Sequence, residues 1–249
     1  MLLRPGSPAH HAASPLHVTA DAQALTPLPR TLLLWLTVRV AGAVLFTMVY
    51  LIEGVTRPGY RAWQQPISAL SLGPGGWVQQ ANFVVYGVCT LCLAGAWHKV
   101  LKGGAGAIAY PLLRGLEGLV AILVGFFSQD PAGYPPGTTL TTPTLHGEIH
   151  LIGAFVLVGT LVCAFLVMAW HFARDLYWWG WAAYSVLSAL LTLVFMALFG
   201  MAHQHGGDAG LFERLAVSTE PIWGVLLLAR LWTGTRFMQP PPQTILPSH

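Results

Sequence analysis

The sequence predicts an all-α fold: a polytopic membrane protein, built as a six-transmembrane-helix bundle with both termini in the cytoplasm (N-in/C-in). Three observations carry this expectation. The chain is 55% hydrophobic and only 8% charged over 249 residues, against about 25% charged in a soluble domain. So few charges cannot solvate a water-facing surface, so most of the surface must face lipid. Six runs reach the length of about 20 apolar residues that a span requires. Lys and Arg are also distributed unevenly about those runs.

The runs are Thr31–Ile52, Trp77–Trp97, Ala107–Phe127, Glu148–Trp170, Trp178–Gly200 and Val217–Arg236. Irregular backbone cannot face lipid, so each is a helix. Residues 30–237 form one transmembrane domain. Residues 1–29 are polar, rich in Pro, Ala and His, and lack a signal-peptide pattern; they are expected to be a disordered cytoplasmic tail. Residues 238–249, rich in Pro, are expected to be a second one. With the N-terminus inside, the inner side holds Arg4, Arg30, Lys99, Lys102, Arg174 and Arg236, and the outer loops hold Arg57, Arg61 and Arg214. Six against three favours that orientation. Tyr177, Trp178, Trp179 and Trp181 are then expected to anchor the inner interface.

Other function classes lose support. The net charge is +3 with no basic stripe, so nucleic-acid binding has no footprint. Cys89, Cys92 and Cys163 lie in apolar runs, which suits packing better than disulfides or redox chemistry. Arg39 and Glu117 sit at similar depth in the first and third spans, and pairing would reduce a cost of about 2.5–3.5 kcal/mol per mid-membrane charge. Arg114 is an alternative partner on the same helix face as Glu117. A proton route would need a second acid at that depth, and none is expected. Arg230 is expected to snorkel to the inner interface.

The topology gathers Ser68, Ser71, Asp130, His146, His150, His203, His205 and Asp208 on the outer side. Three stretches recur there: QQPISALSLGPGGWVQQANF (64–83), FFSQDPAGYPPG (126–137) followed by TLHGEIH, and GLFERLAVSTEPIWGVLLLARL (210–231). In order and spacing they resemble the bacterial membrane family known as domain of unknown function 998. Its pattern has a Ser-Ala-Leu loop, a Gly-Trp entering span two, an Asp-Pro closing span three and a His-Gly-x-x-His opening span four. The resemblance covers most of residues 31–236. It implies six spans in the bacterial cytoplasmic (inner) membrane and carries no activity with it. In residue types alone, Ser68, Asp130, His146 and His150 are also similar to the zinc sites of alkaline-ceramidase and adiponectin-receptor-like membrane hydrolases. Six spans instead of seven, and a His pair in the fourth, depart from that pattern.

TLHGEIH reads as a helix start, with Thr142 as the cap and Pro143 at the first position. His146 and His150 share a face and can bind one ion. Glu148 does not directly follow the first His, so this is no zincin motif. Zinc catalysis needs about three protein ligands. His203 is the candidate third ligand, and His205 an alternative. Asp130 is a candidate ligand or base, and Ser68 would hold a substrate carbonyl or orient a zinc-bound water. These residues admit a metal-dependent hydrolase acting on a lipid-like substrate. They also admit a structural reading, in which the histidines bond loop carbonyls and hold loop three closed. Two further classes stay open. One is haem ligation by His98, His171, His150 and His203. The other is a lipid-binding or transport module, with membrane lipids as its partners.

Overall fold

A computed structural model describes residues 29–101, 106–131, 133–138 and 142–233. The tail residues 1–28 and 238–249 lie outside the described residues, as do Arg4, Lys102 and Arg236. The described chain is all-α, with six long helices: α1 Arg30–Thr56, α2 Trp77–Val100, α3 Gly106–Phe126, α4 Leu145–Phe172, α5 Trp179–His205 and α6 Ala209–Trp232. Five of them, all but α2, are long and apolar enough to cross a membrane by length and composition. Their outward faces carry Leu34, Leu119, Phe155 and Leu190, each more than half exposed. Lipid is the environment such a surface needs.

Each helix packs on its neighbours in sequence, and α6 returns to α1. The result is a closed ring of six. Helices α2 and α3 touch most closely where Gly87 meets Gly118: a Cβ on Gly87 would lie 2.5 Å from the Gly118 carbonyl, and one on Gly118 2.8 Å from the Gly87 carbonyl. Only glycine allows that approach.

One half of the ring is filled. Leu36, Trp97, Phe165, Phe172, Trp178 and Trp223 belong to its core, and Phe172 stacks on Trp178 with ring centroids 5.0 Å apart. Trp178 is therefore a core residue, not the interface anchor expected from its neighbourhood, whereas Tyr177 and Trp179 remain exposed. Arg230 lies over both the Tyr177 and Trp178 rings.

The other half is roofed by the segment between α1 and α2. A short 3-10 turn, Ile67–Ser71, is buried throughout. Ala69 and Leu70 are fully enclosed, which accounts for Ser-Ala-Leu as an inward-facing sequence. The roof is pinned from several sides. Gln65 donates to the Gly133 carbonyl at 2.8 Å, and the Leu211 N–H to the Trp63 carbonyl at 2.9 Å. Arg214 donates to the carbonyls of Ala62, Gln65 and Gly210 and to the Tyr60 hydroxyl. Burial pushes that hydroxyl up to about 12, so it stays a neutral donor to the Gln65 and Pro66 carbonyls.

Arg214 was expected in an outer loop. It is instead buried inside α6, which starts eight residues before the expected Val217. The polar run FERLAVSTE made that stretch look like loop. It is helical because its charges turn into the bundle.

Candidate functional site

Between the two halves lies a cluster of buried charges. Arg39 Nη2 is 2.6 Å from Glu220 Oε1 and 3.8 Å from Glu117 Oε1. Arg114 is 2.7 Å from Glu117 and 2.9 Å from Glu220. Tyr86 donates to Glu117 and accepts from Arg39 at 3.2 Å. The expectation of no second acid at this depth is corrected: Glu220 supplies it, and it is Arg39's nearest anion. Two cations face two anions, which is the condition under which buried charges are tolerated. Arg39 Nε and Nη1 make no hydrogen bond within the described residues. Beside them a void of about 30 Å³ has room for a water molecule.

On the roofed side of the cluster the ring encloses a cavity of about 570 Å³, to which all six helices contribute. This is the size range of pockets that bury most of a small ligand. Its walls are mainly apolar. Helix α4 presents Gly147, Leu151, Ala154, Val158 and Leu161 to it, and α5 presents Met196, Phe199 and His203. These spacings of three and four place each set on one helix face. Ile67 and Ser68 form part of the roof, and Glu117 and Glu220 lie at the floor. The rim carries Pro143, Glu148, Leu151 and His203, all exposed. Leu151 is 57% exposed, and Ile152 and Phe155 beside it face outward. The mouth therefore lies at the side of the ring, next to lipid-facing surface.

The cavity brings together Ser68, Asp130, His150 and His203, but not His146. Each has a local partner. Ser68 donates to the Gln129 side-chain oxygen. The His150 ring is buried, with Nδ1 2.7 Å from the Phe127 carbonyl. A carbonyl only accepts, so Nδ1 carries the proton and Nε2 is the remaining nitrogen. His146 is exposed, its ring 5.0 Å from that of Phe127, and His203 stacks on Phe199. Among the described residues, no three His, Cys, Asp or Glu side chains form a group able to hold a metal ion. The side chains thus do not fit a zinc site of three ligands. For haem, the His98 side chain lies outside the described residues. His171 is buried near the other end of α4 from His150, about 30 Å away along the helix.

Asp130 has a clear structural task. Thr144 donates to it twice, from its hydroxyl at 2.6 Å and its N–H at 3.0 Å. The Thr144 hydroxyl in turn accepts the Gly147 N–H at 3.1 Å. Thr144, not Thr142, is thus the cap of α4, and the helix begins at Leu145. The Thr144 hydroxyl and N–H hold the Asp130 carboxyl below its ordinary range. A Cβ on Gly147 would collide with this carboxylate. The Asp-Pro and His-Gly elements are therefore two halves of one helix-start lock.

Several groups escaped the sequence reading: Glu213, Glu220, Tyr86 and Gln129 all belong to the site. The Glu213–Glu220 spacing of seven, two turns on one face, was the available signal. Searches of curated proteins and of solved structures return no match, and neither supports the likeness to alkaline ceramidases. A family model described as "Protein of unknown function (DUF998)" matches residues 40–230. That span includes the roof, the cavity and all of the charge cluster but Arg39, which stands one residue before it, and the chain belongs to this family of membrane proteins.

Proposed function

We propose that this protein binds a lipid-like amphiphile in its central cavity, within the bacterial cytoplasmic membrane, crossing it six times with both termini inside. One observation carries the reading: the apolar-walled space of about 570 Å³ that opens beside lipid-facing residues. Left empty, it would cost on the order of 10 kcal/mol at about 24 cal/mol per Å³, comparable with the whole stability of a domain. Water alone fills apolar walls poorly. A ligand with an apolar body and a polar end matches both the walls and the acidic floor. The outer His and Asp residues then serve structure: Asp130 locks the start of α4, and His150 ties α4 to the end of α3.

Native mass spectrometry of protein extracted in mild detergent tests this. One retained amphiphile per chain is expected, and bare protein after extraction in several detergents would contradict it.

Hydrolysis of such a ligand is the second reading, favoured because Ser68, Asp130 and His150 line the same cavity. It needs a base on Ser68, and Ser68 instead donates to Gln129. Turnover of lipid esters or amides that is lost in Ser68→Ala, with folding intact, would establish it.

A further inference from the structure

We propose that the amphiphile is cationic, an apolar chain ending in a protonated amine, and that Glu213 is its counter-charge. This rests on the binding reading above and adds the ligand's charge. Among the described residues, every Asp, Glu, Lys or Arg lining the cavity is an acid: Glu117, Asp130, Glu148, Glu213 and Glu220. They are not equivalent. Glu117 and Glu220 are balanced by Arg39 and Arg114. Asp130 gives both oxygens to Thr144. Glu148 stands exposed at the rim.

Glu213 is different. It sits inside the bundle wall, its Oε2 accepts the Ile67 N–H at 2.5 Å, and its Oε1 has no hydrogen-bond partner among the described residues. No described cation forms an ion pair with it. Arg214, next in the chain, spends its hydrogen bonds on neutral oxygens in the roof and acts on Glu213 only through its longer-range field. A carboxylate in an apolar wall is costly unless a cation faces it, and an ammonium group in the cavity supplies that cation.

Glu220 is 7% exposed and lines the same cavity, yet its Oε2 has no hydrogen-bond partner. It lies two turns beyond Glu213 on the same face, about 10 Å deeper. That Glu220 oxygen is itself enclosed, so Glu213 is the acid that the ligand's head group would reach. The chain of the ligand would lie against Val217, Leu157 and Phe199, towards the mouth at Leu151.

The test titrates wild-type protein in zwitterionic nanodiscs at neutral pH with dodecylamine, dodecanol and dodecanoate, corrected for uptake by empty nanodiscs. Dodecylamine is expected to bind saturably, one per chain, about tenfold or more tighter than dodecanol, with dodecanoate weakest. Glu213→Gln keeps an acceptor for the Ile67 N–H and removes the charge, so it should reduce amine binding to the alcohol's level. Glu148→Gln at the rim should leave the ranking unchanged. If Glu213→Gln does not fold, the wild-type ranking decides alone. Equal binding of the three probes, or an amine preference surviving in folded Glu213→Gln, overturns the counter-charge while leaving amphiphile binding intact. Absence of saturable binding by all three overturns both.

Discussion

The same six helices build two unlike halves on either side of the Arg39–Glu220 level. In the packed half their facing residues are large: Trp97, Phe165, Met168, Phe172 and Trp223 interlock, each no more than 5% exposed. In the hollow half the facing residues include Ala43, Ala121, Gly147 and Ala154, and the space between them stays open. The helices remain in contact with their neighbours around the ring, so the space lies within the ring and not between separated helices. The charge cluster marks the boundary, because two of its anions face the cavity while its two arginines reach back towards the packed side. The contrast teaches that one half maintains the ring and leaves the other free to hold something.

The largest expected effect comes from breaking the boundary. Glu220→Leu leaves two buried arginines with one acid and should destabilise by about 3–5 kcal/mol, read as a loss of thermal midpoint in detergent. Pairing it with Arg39→Met should recover much of that loss.

The two halves should then separate under truncation. Trp223→Ala removes a ring that donates to Ser185 at 3.0 Å and should cost about 3–5 kcal/mol. Phe199→Ala enlarges an existing space and should cost about 1 kcal/mol. Similar costs for the two would erase the distinction.

Enlargement should give the mirror image. Ala164→Phe in the packed half should cost about 1–3 kcal/mol, whereas Ala154→Phe enters the cavity and should be close to neutral, both measured by thermal unfolding.

The smallest effect is at the mouth. Thr144→Ala removes the cap of α4 and should cost about 1 kcal/mol. The sign of its pH dependence follows from Asp130. Its carboxyl titrates lower when folded, so its contribution is complete above about pH 4 and is lost as the pH falls through the folded value. The protection of the Gly147 amide, relative to its intrinsic exchange rate at each pH, should therefore fall on acidification in the wild type and be low at all pH values in Asp130→Asn.

Much of the ring was legible in the sequence, because lipid demands long unbroken apolar runs and leaves few alternatives. What lines the interior was less so. An amphipathic ring such as Trp178 reads alike as an interface anchor or as a core residue, and only the position of Phe172 decides. Glu213 and Glu220 were missed because charges near a span's start resemble loop, while burial depends on what the other five helices place opposite. Asp130 and His150, read from the sequence as a catalytic group and a metal ligand, both line the cavity. Their partners, Thr144 and the Phe127 carbonyl, depend on how loop three folds back, which spacing does not encode. A cavity is the least legible feature of all, since it is set by side chains from every helix at once.

The central claim is that the hollow half holds an amphiphile, and the most direct test is the stoichiometry of dodecylamine in three proteins. Wild type and Ile152→Phe, whose new ring faces lipid, should each bind one saturable equivalent. Ala154→Phe, close to neutral in stability but with a ring obstructing the cavity, should lose most of that binding. Saturable binding unchanged in Ala154→Phe would place the ligand elsewhere and contradict the account.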